Sequence, residues 1–359
     1  MKTLLLTLEY PPFNGGVANY YTNLVKHWPQ PERIEVIHNN QGNLFKAGHF
    51  AWLKVVGTIR RQQKVKSFDY LLVGHILPLG TAAYLACLMK AFKYAIILHG
   101  LDFTKASLQA RKGWLTRLIL NKADKIICAN SRVAQIVIDF NPRWEGKVKI
   151  VNPGIDPSSS IVNHQEVQNL RKNYQLENTF TLLTIGRLTL RKGVDSVIKA
   201  LASPTLKDLK IKYFIAGVGD QEKYLRALAK ESPLKAEIIF LGELSEADKW
   251  HWLHACDAFI MPAREIGPDF EGFGIVYLEA NLAAKPVIAG NSGGVKDAVQ
   301  DLANGLLVNP EKIEEISQAI LRLANDKKLA GDLGKKGKER AQTEFNWEKQ
   351  ALMLCKLIK

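Results

Sequence analysis

Short, wholly apolar runs alternate along this chain with stretches whose apolar positions recur at helical spacing. Residues 3–8 (TLLLTL), 33–38 (RIEVIH), 70–75 (YLLVGH), 94–100 (YAIILHG), 125–130 (KIICAN) and 148–154 (VKIVNPG) read as strands, and 17–28 and 81–92 as helices between them. Strands that are apolar on both faces and separated by helices imply a parallel sheet covered on both sides. The Pro- and Ser-rich segment 152–160 (NPGIDPSSS) interrupts the rhythm and reads as a linker. The pattern then restarts, with strands at 179–186, 210–217, 236–242, 256–262, 285–290 and 305–309. The expectation is an α/β chain of two doubly wound domains that share an architecture without repeating a sequence. The last segment, 345–359, reads as a helix whose Trp347, Ala351, Leu354 and Ile358 form one apolar face able to pack on either domain.

In doubly wound sheets ligands lie beyond the carboxyl ends of the strands, and two such domains facing each other offer a cleft. Five motifs fall at expected strand ends. The most informative is EGFGIVYLE, 271–279, with Glu271 and Glu279 flanking Phe273, Gly274 and Ile275 where a loop becomes a helix. A helix start presents free N–H groups and the positive end of a dipole to an anion. Residues eight apart on a helix differ by about 80° in azimuth, which places Glu271 in the loop and Glu279 on the helix. Two carboxylates beside an anion site suit a ligand that is both phosphorylated and rich in hydroxyls, such as a sugar nucleotide. The plainer reading is a helix with one N-terminal and one exposed glutamate.

GRLTLRKGVD, 186–195, carries Arg187 and Lys192 across a loop ending at Gly193, a pair able to grip a diphosphate from two sides, or else a solvated basic turn. NGGVANY brings Gly15 and Gly16 to a helix start, GVGD brings Gly217 to a turn, and LHGLD puts His99 at a strand end. Alone, a glycine pair is most often a turn and a lone histidine most often structural. No G-x-G-x-x-G fingerprint follows any strand, which argues against a dinucleotide-dependent dehydrogenase.

The totals fit this picture. With 359 residues, 47% hydrophobic and 23% charged, the chain has the composition of a globular protein of two domains. No apolar run approaches the ~20 residues of a membrane-spanning helix, and the N-terminus reads as a first strand. Cys87, Cys128, Cys256 and Cys355 are scattered, as reduced thiols of a cytoplasmic protein would be. The formal charge of +14 is uneven: residues 1–160 hold 21 Lys/Arg against 9 Asp/Glu, and residues 161–359 hold 28 against 26. A first half this basic either is simply solubilised or meets an anionic partner. Residues 44–66 interleave Phe45, Phe50, Trp52, Leu53, Val56 and Ile59 with Lys46, Lys54, Arg60, Arg61, Lys64 and Lys66. Residues 103–122 do the same around Trp114, Leu115, Leu118 and Ile119, and both resemble interfacial amphipathic helices.

Taken in order, PPFNGGVANY, HGLD, VNPGID, GRLTLRKGVD, GVGD, MPARE, EGFGIVYLEANLAAKPVIAGNSGG and GLLVNP resemble the motifs of the retaining glycosyltransferases of family 4, which have the GT-B fold. The resemblance spans the whole chain. It implies an acceptor-binding Rossmann-like domain over 1–155, a donor-binding one over 161–340 and a crossover helix over 341–359 returning to the first. It also implies roles. Arg187 and Lys192 would hold the donor diphosphate, with Gly15 and Gly16 approaching it. Glu271 would contact the sugar, with Phe273, Gly274 and Ile275 lining that site. Glu279 would bind the ribose, Gly217, Leu241 and Gly242 would lie near the nucleotide, and His99 would face the transferred sugar. Arg264 would approach the cleft. Two cations on the leaving diphosphate leave no need for a metal, and no carboxylate cluster suits Mg²⁺. The expected donor is UDP-glucose, then GDP-mannose, and the expected acceptor is a lipid-linked or polysaccharide glycan at the inner face of the plasma membrane. A sugar-nucleotide 2-epimerase of the same fold is the alternative enzyme. A nucleic-acid-binding role rests on charge alone and finds no module in the sequence.

Overall fold

A computed structural model describes residues 1–13, 15–39, 42, 44, 52–231 and 237–359. The chain forms two compact units. One comprises Met1–Gly154 and Trp347–Lys359, the other Ile155–Asn346.

The sheet of the first unit contains β1 (Thr3–Thr7), β2 (Ile34–His38), β3 (Tyr70–Val73), β4 (Lys93–Leu98), β5 (Lys125–Cys128) and β6 (Val148–Ile150). All pairings are parallel, in the order β2-β1-β3-β4-β5-β6. β1 and β3 are buried along their whole length, as uniformly apolar central strands must be. Chain order reverses between β1 and β3, so the loops after these strands diverge and open a crevice at their carboxyl ends. The helices are α1 (Gly16–Lys26), α2 (Leu53–Val65), α3 (Thr81–Met89), α4 (Leu101–Ser107), α5 (Ala110–Lys122) and α6 (Ser131–Phe140).

The second unit opens with α7 (His164–Asn173) and continues with β7 (Phe180–Ile185), α8 (Val194–Leu201), β8 (Ile211–Ala216), α9 (Glu222–Glu231), β9 (Glu237–Gly242) and α10 (Glu246–Ala255). Then come β10 (Ala258–Met261), α11 (Ile275–Leu282), β11 (Val287–Gly290), α12 (Val295–Ala298), β12 (Gly305–Val308), α13 (Ile313–Asn325) and α14 (Lys327–Glu344). The parallel order is β12-β11-β10-β7-β8-β9. From β7 the chain proceeds to one edge, and from β10 to the other, which puts the switch point between β7 and β10. Thr184 fastens this junction: its hydroxyl donates to the Ile260 carbonyl and bonds the Tyr213 hydroxyl at 2.7 Å.

α15 (Trp347–Leu357) completes the first unit. Trp347, Ala351, Leu354 and Ile358 are all buried, in one cluster with Tyr20, Tyr21, Leu24 and Trp28. Leu354 and Ile358 each contribute about 1.5–3 kcal/mol of burial, which helps hold this short helix in place. The return begins at Trp347 and not at residue 341. Residues 341–346 stay with the second unit, because α14 runs unbroken to Glu344 and Arg340 fastens it to the carbonyls of Asp297 and Ala298 at 2.9 and 2.7 Å.

Candidate functional site

At the switch point of the second unit the loops after β7 and β10 pack directly on each other. Gly193 ends the first loop at φ +72, where a Cβ would lie 2.1 Å from the Pro262 carbonyl oxygen. Only glycine allows that contact and that backbone angle together. The Arg264 amide also donates to the Arg191 carbonyl at 2.9 Å. Leu190–Lys192 form a single 3₁₀ turn before α8, which aims the two adjacent cations toward the second loop.

They converge on Glu271. Lys192 Nζ lies 2.7 Å, and Arg191 Nη1 2.5 Å, from the same oxygen, Glu271 Oε2. Arg191 Nε also lies 3.2 Å from Asp269. The Glu271 side chain is only 10% exposed. Burial by itself would raise its pKa, but Lys192 and Arg191 outweigh burial and hold the carboxyl below its ordinary value. Its backbone is fixed by the loop after β11, whose Gly294 amide donates to the Glu271 carbonyl at 2.9 Å.

Three residues on, Gly274 adopts φ +75 and starts α11. A Cβ there would lie 2.4 Å from the Tyr277 ring, which is buried and donates its hydroxyl to the Met261 carbonyl at 2.7 Å. The amides of Phe273 and Gly274 give no hydrogen bond to another described residue. The Phe273 side chain is buried against Phe345, so only its backbone is available to a ligand. Ile275, by contrast, is exposed.

Arg187 is exposed and pairs with no acidic side chain among the described residues. Arg264 is committed within the fold: its guanidinium donates to Ser196 Oγ at 2.8 Å and to Asp195 Oδ2 at 2.9 Å. Gly217 is a packing glycine at φ +126, its Cβ position 2.0 Å from the Gly186 carbonyl oxygen and its amide bonded to the Gly242 carbonyl. Gly242 has open space at its own Cβ position, and Leu241 is half-buried against the core. Glu279 meets a partner the sequence did not suggest. Lys249 Nζ sits 2.6 Å from its Oε1 and 2.7 Å from Glu246. Burial opposes the charge on Lys249, yet Glu279 and Glu246 together raise its pKa; burial also raises that of Glu279.

A second cluster occupies the switch point of the first unit. His99 follows β4 and is partly buried, its Nε2 2.8 Å from the Tyr21 hydroxyl and its ring edge-on to Tyr20. Burial, with His75 nearby, pushes its pKa down to about 3, so the ring is neutral near pH 7. Asp102 Oδ1 accepts from the His99 and Gly100 amides, fixing the turn, while its buried Oδ2 is unpartnered. Glu9 after β1 lies 3.6 Å from His75 Nε2, and the Leu8 amide donates to His75 Nδ1. Gly15 is the N-cap of α1 in ordinary extended backbone, with Glu9 Oε2 3.6 Å from its Cβ position. Nothing lies within 4 Å of a Cβ placed on Gly16. Gly15, Gly16 and His99 thus gather in the first unit, and Arg187, Lys192, Glu271, Phe273, Gly274, Ile275 and Glu279 in the second.

Residues 14–159 match the model described as Glycosyltransferase Family 4, and residues 166–340 the model described as Glycosyl transferases group 1. The chain belongs to the family 4 glycosyltransferases. It is 27% identical to a GDP-mannose-dependent alpha-(1-6)-phosphatidylinositol monomannoside mannosyltransferase of Mycobacterium tuberculosis, covering all of this chain and 98% of that one. It is 28% identical to a GDP-mannose-dependent mannosyltransferase of Corynebacterium glutamicum acting on the monoacylated form of that lipid, covering 97% and 95%. Among solved structures, Anabaena HepE in complex with UDP superposes with a TM-score of 0.81 at 19% identity, covering 99% of each chain. A glycosyltransferase of Rickettsia africae gives 0.80 at 18%, covering 100% and 98%. These likenesses establish the GT-B class, two Rossmann-like domains each with a six-stranded parallel sheet.

In this glycosyltransferase four charged residues at the two clusters have no expected role from sequence: Arg191, Lys249, Glu9 and His75. Glu9, His75 and Arg191 follow β1, β3 and β7, and that position is the signal the sequence carries for them. Lys249, on α10, carried none. Among the described residues no helix is long and apolar enough to cross a membrane.

Proposed function

We propose that the second unit binds a nucleotide sugar and that the enzyme transfers the sugar, with retention of configuration, to a lipid-linked acceptor offered through the first unit. The observation that carries this reading is the convergence of Lys192 and Arg191 on Glu271 at the β7–β10 switch point, beside the open amides of Phe273 and Gly274. Donor diphosphate competes with Glu271 for Lys192 and adds the free guanidinium of Arg187. The same two cations and the α11 start stabilise the charge that grows on the diphosphate as it leaves. A site that neutralises this charge with side chains has no call for a divalent ion. Glu271 then hydrogen-bonds sugar hydroxyls and Glu279 the ribose, and His99, neutral, serves the first unit's own ligand as a hydrogen-bonding group. Glu271 and Glu279 are not an acid–base pair.

GDP-mannose is the favoured donor, because relatives spanning nearly the whole chain are named for it; UDP-glucose, placed first by the family resemblance and by no residue, comes second. The same names favour a phosphoinositide-type glycolipid acceptor. The surface of the first unit supports peripheral attachment to an anionic membrane. Leu108 is 72% and Trp114 63% exposed beside Lys105, Arg111 and Lys112. A cavity of about 410 Å³ between α2 and α3 is lined by Leu53, Val56, Arg60, Leu88 and Met89. Not all of the expected apolar face is available: Ile59 of α2 and Ile119 of α5 are buried in the core. Phe45, Lys46 and Phe50 lie outside the described residues.

Thermal shifts with GDP, UDP and ADP, then with their sugars, test the reading. GDP and GDP-mannose should stabilise most, and sugar should reach a lipid fraction only when acceptor is present. Stabilisation by none of the three nucleotides sinks the donor site. Turnover of the sugar nucleotide without acceptor into an isomer sinks the transferase reading in favour of an epimerase.

A further inference from the structure

Arg191 has anchors that its neighbour lacks. Lys192 brings one point charge on a flexible stem, whereas Arg191 spans two acidic residues of the loop after β10, Glu271 through Nη1 and Asp269 through Nε. Its carbonyl is held by the Arg264 amide, on the same loop, so backbone and side chain both fasten the two loops. The Arg191 side chain is 20% and the Glu271 side chain 10% exposed. Both cations contact Oε2; Glu271 Oε1 takes no hydrogen bond from a described residue.

A carboxylate this buried does not stay charged and fixed without a cation. If Lys192 is drawn to a diphosphate, Glu271 loses one of its two. We propose that Arg191 is a positioning residue, which keeps Glu271 ionised and in place while Lys192 serves the diphosphate, so that Oε1 is presented to the donor sugar. The Asp269–Arg191–Glu271 bridge sets the direction of the carboxylate, and the fork geometry of the guanidinium makes the direction specific. Arg191 therefore governs the sugar part of donor recognition without governing the nucleotide part. The inference rests on the donor-site reading above.

Arg191→Ala, Arg191→Lys and Lys192→Ala test it through two readouts. The first needs no ligand: hydrogen exchange of the backbone over residues 265–272. Arg191→Ala should speed it at least about ten-fold and Lys192→Ala change it less than about three-fold. The second is calorimetry with UDP and GDP and with the sugar nucleotide the wild type prefers, together with kcat and KM. Arg191→Ala should bind the nucleoside diphosphate within about three-fold of wild type, lose the added affinity conferred by the sugar, and lose at least about ten-fold in kcat. Arg191→Lys should recover part of the kcat. Unchanged exchange in Arg191→Ala overturns the proposal, and so does unchanged turnover. An equal loss of affinity for diphosphate and sugar nucleotide also overturns it, because Arg191 would then be a phosphate ligand. A wild type that binds neither UDP nor GDP overturns the donor-site reading instead, and the exchange comparison alone then decides whether Arg191 clamps the loop.

Discussion

The Lys192 ammonium stands 2.7 Å from Glu271 Oε2, so the carboxylate already occupies the cation that a diphosphate would seek. Binding must exchange one anion for another. Glu271→Gln removes the competitor and should leave UDP or GDP binding unchanged or tighter, while turnover falls at least about ten-fold for want of the sugar contact. The fold should lose about 1–3 kcal/mol, since Arg191 and Lys192 keep only a neutral acceptor. Lys192→Ala should do the reverse to binding, abolishing diphosphate-dependent stabilisation and costing about 100-fold or more in kcat. Calorimetry and steady-state kinetics on the two variants check the pair. Weaker diphosphate binding in Glu271→Gln would show that no competition exists.

His99 gives a pH signature. Burial, and then the neighbouring His75, lower its pKa to about 3, against an ordinary value of 6.5. As pH falls below about 6.5 the unfolded chain takes up a proton that the native ring refuses, so stability rises with pH across this window and is lost on acidification. Between pH 6.5 and 5 the loss from this group is about 1–2 kcal/mol. His99→Gln keeps a partner for the Tyr21 hydroxyl and cannot titrate, so its urea midpoint should fall less steeply over the same range. Parallel slopes for the two proteins would mean that His99 is protonated in the native state.

Much of this was legible in the sequence because burial on two faces leaves a strong mark. Runs such as TLLLT and YLLV have few other places to go than a covered parallel sheet, and Arg187, Lys192 and Glu271 stood out by lying at the ends of such runs. Pairing across the fold was not legible. Lys249 is 30 positions from Glu279 and Arg191 is 80 from Glu271, and nothing local to either lysine or arginine marks the carboxylate it meets. Strand order was hidden for the same reason. The two units read alike as alternating elements, yet β1 is flanked by β2 and β3 in one sheet while β7 is flanked by β8 and β10 in the other.

Two glycines at helix starts should respond oppositely to alanine. Gly274 has φ +75 and a Cβ position 2.4 Å from the packed Tyr277 ring. Gly274→Ala should therefore destabilise by about 2 kcal/mol or more and lose activity with it. Gly16 has no such angle and empty space around its Cβ position. Gly16→Ala should melt within about 0.5 kcal/mol of wild type. If backbone at Gly16 approaches the donor, this variant loses turnover while remaining fully folded. Normal kinetics in a normally folded Gly16→Ala would remove Gly16 from the site.

The basic first half predicts how the enzyme meets a membrane. Trp114 is 63% exposed on α5, in a stretch of sequence that also carries the exposed Lys105, Arg111 and Lys112, while Gly113, Thr116, Ile119 and Leu120 are buried. An exposed tryptophan among cations suits the headgroup boundary, where the ring is half-solvated and the ammonium groups meet lipid phosphates. Co-sedimentation with vesicles containing phosphatidylglycerol should be strong at low salt and fall steeply by about 0.5 M salt, where the Debye length is only a few ångströms. Trp114→Ala should weaken it at least roughly ten-fold, the equivalent of about 1.4 kcal/mol or more of aromatic burial, without shifting the melting temperature. Charge and aromatic contributions are separable, because Lys105→Glu with Lys112→Glu should abolish the salt-sensitive part and leave weak, salt-insensitive binding through Trp114. Absence of binding to anionic vesicles at low salt would sink the membrane reading, and a soluble acceptor would take the place of the lipid.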